Sequence, residues 1–170
     1  MRAESFDPIV GPEPQVLILG SMPGADSIRA KQYYAHPRNA FWRILADLGI
    51  APGDTYNERI TALSRRGVAL WDVLKACERE GSLDSGIVHA SEKPNDIPGL
   101  LRKHPTIHAL FFNGGKAERA FRRHVLPKLA EHQCEAVSQR RLPSTSPAHT
   151  IPYERKLAAW RAVLAILGGS

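Results

Sequence analysis

The chain reads as an α/β protein, a parallel β-sheet with helices packed on both of its faces. Three observations lead there. Apolar runs of strand length recur along the chain, helical apolar spacing fills the stretches between them, and glycine, proline or asparagine marks the junctions. Strands that alternate with helices bury their apolar residues most simply as parallel neighbours, each helix crossing back over the sheet.

Taken in order, Gln15 to Gly20 (QVLILG) follows the turn-forming GPEP and ends at a glycine, as a buried strand entering a turn does. Asn39 to Leu48 sets Phe41, Trp42, Leu45 and Leu48 at helical spacing and stops at Gly49, a helix C-cap residue. Beyond Pro52 and Gly53, Asp54 is placed to cap a helix running to about Arg65, and Gly67 to Asp72 (GVALWD) is a second strand. Lys75 to Ile97 carries Gly81, Gly86, Pro94 and Asn95 and predicts loop, the kind of segment on which function often sits. Ile107 to Gly115 (IHALFFNGG) is a third strand, broken at Asn113, and Lys116 to His124 resumes a helical pattern. Cys134 to Ser138 predicts a weaker fourth strand, followed by the loop RRLPSTSPAHTIP and an amphipathic helix from about Tyr153 to Leu167.

At 170 residues the chain has the size of one domain, 1–170, with residues 1–14 as an N-terminal extension and no internal repeat. Apolar residues make up 43% and charged residues 24%, which is ordinary globular usage and argues against long disorder. Arg2, Glu4 and Asp7 interrupt any leader-like apolar run, and no apolar stretch nears membrane-spanning length, so a cytoplasmic protein is expected; a monomer is also expected. Cys77 and Cys134 lie far apart, outside C-x-x-C spacing, and suggest neither a zinc site nor an iron–sulfur cluster. The net charge of +6 draws the surface toward a polyanion.

In open parallel sheets ligands bind beyond the carboxyl ends of the strands, so the residues closing each strand carry the chemical information. After the first strand comes GSMPG (Gly20, Ser21, Met22, Pro23, Gly24), which exposes backbone N–H groups; it also fits an ordinary strand-to-helix turn. The P-loop pattern is absent, which removes support for a nucleoside triphosphate site. In YYAHPRNAFW (Tyr33 to Trp42), Tyr34 is placed to stack on a base, while Phe41 and Trp42 belong to the core. Asn39 is either the cap of the following helix or a catalytic amide.

Asp72 closes LWD and Asn113 closes FFN, and either residue could cap the next helix or face a ligand. An amide pairs with a carbonyl and an adjacent N–H together, an ionised carboxylate with the N–H alone. Uracil and hypoxanthine present that edge, whereas cytosine and adenine would leave polar groups unpaired. The loop from Arg140 to Thr150 supplies hydroxyls, arginines and prolines suited to phosphate contact and to prying a base from its stack. His36 and His149 also fall in these loops and are read as incidental.

GSMPG, YYAHPRNAFW, LWDVLKACEREGSLDS, FFNGGKA and LPSTSPAHT, in this order from about Val16 to Trp160, resemble the uracil-DNA glycosylase superfamily, and within it the hypoxanthine-DNA glycosylase family. The resemblance implies a three-layer α/β/α sandwich around a four-stranded parallel sheet, no cofactor, no metal and no lyase activity. It implies a DNA substrate carrying a deaminated base, which is flipped out and hydrolysed from deoxyribose in base excision repair.

Carried over by position, Gly20 to Gly24 match the first motif beneath the flipped base, where many members hold an Asp or Asn that positions water; here Met22 stands there, and a thioether cannot. Asn39 matches an asparagine implicated in the hypoxanthine-directed members and is the catalytic candidate, with Asp72 in reserve. Tyr34 matches the stacking aromatic, and Asp72 and Asn113 join the base pocket. In the second motif Ser144 would grip a phosphate and Thr145 and Ser146 enter the minor groove, with Arg141 and Lys116 as further DNA contacts. Leu142 replaces the His or Asn that elsewhere stabilises the departing base, which leaves Ser21 or first-motif N–H groups for that task. Two alternatives stay open: a lesion-binding protein that does not cut, and a hydrolase of free nucleosides.

Overall fold

The computed structural model describes residues 1–168. In chain order its elements are β1 (Arg2–Glu4), β2 (Val16–Gly20), α1 (Ala25–Ala30), α2 (Phe41–Asp47), α3 (Tyr56–Arg65), β3 (Val68–Asp72), β4 (Leu74–Glu78), β5 (Lys93–Pro94), α4 (Ile97–Lys103), β6 (Ala109–Asn113), α5 (Gly115–His124), α6 (Glu131–Ala136), β7 (Ser138–Leu142) and α7 (Tyr153–Ile166), with short 3-10 turns between some of them.

Four strands form a parallel sheet in the order β3-β2-β6-β7. The β2 sequence VLILG is buried throughout, as a central strand covered on both faces must be. Alternation sends Leu17, Leu19, Leu110 and Phe112 into one apolar layer with Leu100, Leu101, Ala117 and Phe121 of α4 and α5. Val16, Ile18, Leu70 and Phe111 face the other layer, where Phe41, Ile44 and Leu45 of α2, Leu63 of α3 and Trp160 and Val163 of α7 close over them. The three-layer α/β/α sandwich expected from the sequence is therefore the observed architecture.

The chain order of the sheet reverses at β2, whose partners are β3 on one side and β6 on the other. That switch point opens a crevice beyond the carboxyl ends of β2 and β6. Register sets Gly20 opposite Asp72, and Asn113 opposite Leu142, at the same end of the sheet.

Three local expectations need correction. Cys134 to Ser138 is not the fourth strand: α6 takes Glu131–Ala136, and the strand is Ser138–Leu142, which absorbs Arg140, Arg141 and Leu142 from the supposed loop. This edge strand exposes every side chain but Leu142, so it carries no apolar signature. The helix after Gly53 is capped by Thr55, whose hydroxyl accepts the Glu58 N–H at 3.1 Å, rather than by Asp54. The segment Lys75 to Ile97 is not all loop, because β4 and β5 join β1 in a small antiparallel sheet. Through β1, and through an Ile9–Leu70 bridge, the first residues of the chain are tied to the body of the molecule.

Candidate active site

Beyond the crevice lies a cleft of about 890 Å³ lined by the first-motif loop Gly20–Gly24, Tyr34, Asn39, Asp72 and Asn113, and by Ser144, Thr145 and Ser146. Its size suits one nucleobase with its sugar and part of its backbone, within the usual range of ligand pockets. His36 and His149 reach the same cleft, whereas Lys116, Arg141 and Leu142 do not.

The floor is built by extending strand pairing past the strands. Val73 N–H donates to Gly20 O at 2.8 Å and Leu74 N–H to Ser21 O at 3.1 Å, which locks the first motif to the end of β3. Asn95, a buried residue that the sequence suggested only as part of a turn, donates through Nδ2 to Asp72 O at 2.8 Å and to Leu74 O at 3.2 Å. Gly20 is required here by close approach: a Cβ would lie 2.5 Å from Asp72 Oδ1 and 2.8 Å from the Tyr34 hydroxyl.

Asp72 and Tyr34 therefore converge on one point of the floor. Asp72 is 3% exposed and its Oδ2 has no hydrogen-bond partner among the described residues. Burial and the nearby Asp84 push its carboxyl up to about 7, against the opposing charge of Arg79. The Tyr34 hydroxyl is also buried and finds no hydrogen-bond partner among the described residues, and burial, with the Asp72 carboxylate, raises its pKa far above the ordinary phenol value. The neighbouring Asn113 amide would favour the ionised phenol, but its hydrogen bonds go to Thr145. The Tyr34 ring stacks on Phe41 at 4.0 Å and 22°, and its backbone is left-handed at φ 54°, an unusual conformation for a bulky residue. Strain of that kind persists where surrounding structure enforces it.

Asn39 lines the same cleft. Its Oδ1 accepts the Phe41 N–H at 3.0 Å, so it partly serves the start of α2, as the sequence allowed. One lone pair of that oxygen and both Nδ2 hydrogens remain outside this bond.

The second motif is fastened from three sides. Asn113 holds Thr145 at both its backbone and its hydroxyl, Ala40 N–H donates to Thr145 O at 3.0 Å, and the buried Lys156 of α7 donates to Ser146 O at 3.0 Å. Lys156 and its role are not visible in the sequence, where it is one lysine among the charges of an amphipathic helix.

These contacts revise several expectations. Thr145 is 1% exposed and faces inward, so it cannot enter a minor groove as placed; Ser144 and Ser146 are only half-buried. Asn113 commits one Nδ2 hydrogen and one Oδ1 lone pair to Thr145 and so organises the loop, while its side chain also lines the cleft. Lys116 is buried and ion-paired with Glu92, which also accepts from His124 Nε2 at 2.7 Å, so it is a core cation and not a DNA contact. Arg141 is exposed on β7, with its guanidinium 3.7 Å from Glu118. Ser21 donates its hydroxyl hydrogen to Asp84 Oδ1 at 2.6 Å, which leaves it no hydrogen for a departing base. Leu142 is part of the apolar core.

Among the described residues no group of three or more His, Cys, Asp or Glu side chains is arranged to hold a metal ion, and no helix is long and apolar enough to cross a membrane.

A parallel sheet whose switch-point cleft gathers a buried carboxyl, an aromatic and an amide is the site of an α/β enzyme acting on a planar, polar ligand. Comparison with known proteins makes that class specific. The family model described as the Uracil DNA glycosylase superfamily matches residues 8–167. A protein of Methanosarcina barkeri named hypoxanthine DNA glycosylase is 40% identical over 119 residues, covering 69% of this chain and 74% of the relative. A protein of the same name from Methanosarcina acetivorans is 39% identical over 122 residues, with the same coverage of each chain, 69% and 74%. A solution NMR structure from Methanosarcina acetivorans, described as a candidate uracil DNA glycosylase, superposes with a TM-score of 0.78 at 32% identity over 99% of both chains. The chain belongs to the uracil DNA glycosylase superfamily and is a DNA glycosylase, a hydrolase of N-glycosyl bonds.

Proposed function

We propose that the protein removes hypoxanthine, and to a lesser extent uracil, from DNA by hydrolysis, leaving an abasic site for base excision repair. The observation that carries this reading is the convergence of Tyr34, Asn39, Asp72 and the first-motif loop on one cleft of about 890 Å³. The order of preference is supported by the names of the two relatives, both called hypoxanthine DNA glycosylase.

The target nucleotide leaves the duplex, because its glycosyl bond is inaccessible in the stack. Tyr34, backed by Phe41, offers a stiff aromatic wall to the flipped base. Asp72 meets the lactam edge: ionised it accepts the ring N–H, and protonated it also donates to the carbonyl. With a carboxyl pushed up to about 7, both forms are present near neutral pH. Asn39, its Oδ1 steadied by the Phe41 N–H, orients the attacking water toward C1′. As the glycosyl bond breaks, its electron pair moves onto the base and the sugar becomes oxocarbenium-like, so no strong general base is required. Water then adds to C1′, and the proton it loses ends on the base. Ser144, Ser146 and the exposed Arg38 beside the cleft contact phosphates.

The test is a panel of duplexes and single strands carrying hypoxanthine, uracil or xanthine at one site, incubated with protein and then treated with alkali. Strand breaks at hypoxanthine, faster than at uracil, are expected. Tight binding without alkali-labile sites would mean a lesion-binding protein, and release of base from free deoxyinosine alone would mean a nucleoside hydrolase.

A further inference from the structure

The departing base takes up negative charge, and Leu142, at the position where the resemblance places a base-stabilising His or Asn, cannot donate a hydrogen bond. Ser21 is no substitute, since its hydroxyl hydrogen points at Asp84. Two acidic side chains, Asp72 and Asp84, line the cleft and would repel a forming anion. Something must offset them.

Arg79 is 3% exposed beneath the first-motif loop. Its Nη2 donates to Pro23 O at 2.8 Å, one residue from Met22, and Pro23 itself lines the cleft. Its Nε and Nη1 find no hydrogen-bond partner among the described residues, and no carboxylate there forms an ion pair with it. A buried guanidinium left in that state is costly and calls for a reason. Its backbone is fixed by a bond from its N–H to Met1 O at 2.9 Å and by the bridge to Ile87. The turn that closes over its stem depends on Gly86, where a Cβ would lie 2.2 Å from Glu80 O and 3.5 Å from Arg79 Cγ. The charge reaches the site: it opposes the upward shift of the carboxyls of both Asp72 and Asp84.

We infer that Arg79 is a positioning residue for the leaving group, its guanidinium, which no direct ion pair engages among the described residues, fixing the first-motif loop by the Pro23 carbonyl and stabilising the base anion above that loop. The inference rests on the hydrolytic reading of the site. In a water-poor cavity a fixed charge acts at low effective dielectric and needs no reorganisation as the glycosyl bond breaks. It stands behind the loop rather than against the base, so it acts on the electron pair that the base receives and not on its recognition.

Single-turnover excision of hypoxanthine and of its more acidic analogue 8-azahypoxanthine, from the same DNA context, tests this. Arg79→Gln keeps hydrogen-bond donors and removes the charge; Arg79→Lys keeps the charge. Arg79→Gln is expected to slow hypoxanthine release about 100-fold, the scale of losing one anion-stabilising donor, and 8-azahypoxanthine release by less than about 10-fold. Arg79→Lys is expected to retain most activity, and both variants to bind abasic-analogue DNA as the wild type does. Equal slowing of both bases, or Arg79→Lys as slow as Arg79→Gln, would make Arg79 merely structural and overturn the inference. Should Arg79→Gln fail to fold, Arg79→Met, which keeps the apolar stem and removes the charge, takes its place: hypoxanthine release slowed at least about tenfold more than 8-azahypoxanthine release supports the inference, and equal slowing of both overturns it. A wild type inactive on both bases would sink the hydrolytic reading itself, and this inference with it.

Discussion

Asn113 grips Thr145 at both ends of its amide: Nδ2 donates to Thr145 Oγ1 at 2.9 Å and Oδ1 accepts the Thr145 backbone N–H at 2.9 Å. Thr145 in turn accepts from Ala40, the neighbour of Asn39, so the end of β6, the second motif and the start of α2 form one hydrogen-bonded unit. Asn113→Ala leaves two groups of the buried Thr145 unpaired, at about 1–3 kcal/mol each when fully desolvated. Thermal unfolding should register that loss, and abasic-analogue DNA should bind more weakly through a loosened loop. Unchanged stability would mean that the pairing is not maintained in solution.

Gly20→Ala tests the floor. The added methyl meets Asp72 Oδ1 and the Tyr34 hydroxyl at distances that real Cβ atoms do not tolerate, 2.5 and 2.8 Å. One of the two must leave its position, so excision should fall at least about tenfold, with overpacking costing about 1–3 kcal/mol of stability. Wild-type single-turnover rates in this variant would show that the convergence of those two side chains is irrelevant to catalysis.

Asp72 should make stability depend on pH in an unusual direction. Its carboxyl sits at about 7 in the fold and near 3.8 when unfolded, so between those values the native state holds a proton that the unfolded chain has lost. Stability from this group therefore falls as pH rises through that window, and is fully present only below it. Asp72→Asn, which cannot ionise, should melt closer to or above the wild type at pH 8 than at pH 4. A melting difference independent of pH from 4 to 8 would contradict the burial of a titrating carboxyl.

Glu92 behaves in the opposite sense. Burial favours its neutral form, but hydrogen bonds from Lys116 and His124, with their charges, hold its pKa below the ordinary value of 4.5. Its stabilisation is present above that value and is lost as pH falls through the lowered one. Lys116→Ala leaves the buried Glu92 carboxylate with His124 as its remaining partner and should destabilise the fold, by less than the roughly 3–5 kcal/mol that a wholly unpaired buried charge costs. Since Lys116 does not face DNA, the slope of log binding constant against log salt should not change; a slope shallower by about one would return it to the interface.

The layers of the fold were legible where side chains alternate between two buried faces, as in Val16–Gly20 and Ala109–Asn113. Ser138–Leu142 was not, because an edge strand with exposed Gln139, Arg140 and Arg141 looks like any polar stretch, while the apolar Cys134 and Val137 beside it imitate a strand. The antiparallel β1-β4-β5 sheet was hidden by pairing across some seventy residues, which no local pattern announces. Strand-end reasoning brought Tyr34, Asn39, Asp72 and Ser144 to one cleft because parallel strands put their carboxyl ends together. It misread Lys116 and Thr145, whose chemistry suits DNA but whose partners, Glu92 and Asn113, are distant in sequence. Arg79 gave no signal among the charges of CEREGS; only its burial does.

The water-orienting role proposed for Asn39 requires a slot holding one extruded deaminated base. It is tested most directly by single-turnover release of hypoxanthine from DNA by Asn39→Ala beside the wild type, with binding to abasic-analogue DNA measured in parallel. Loss of one water-orienting group should slow release by about 100-fold or more while binding stays within about threefold. Release at the wild-type rate, with the variant folded and bound, would contradict it.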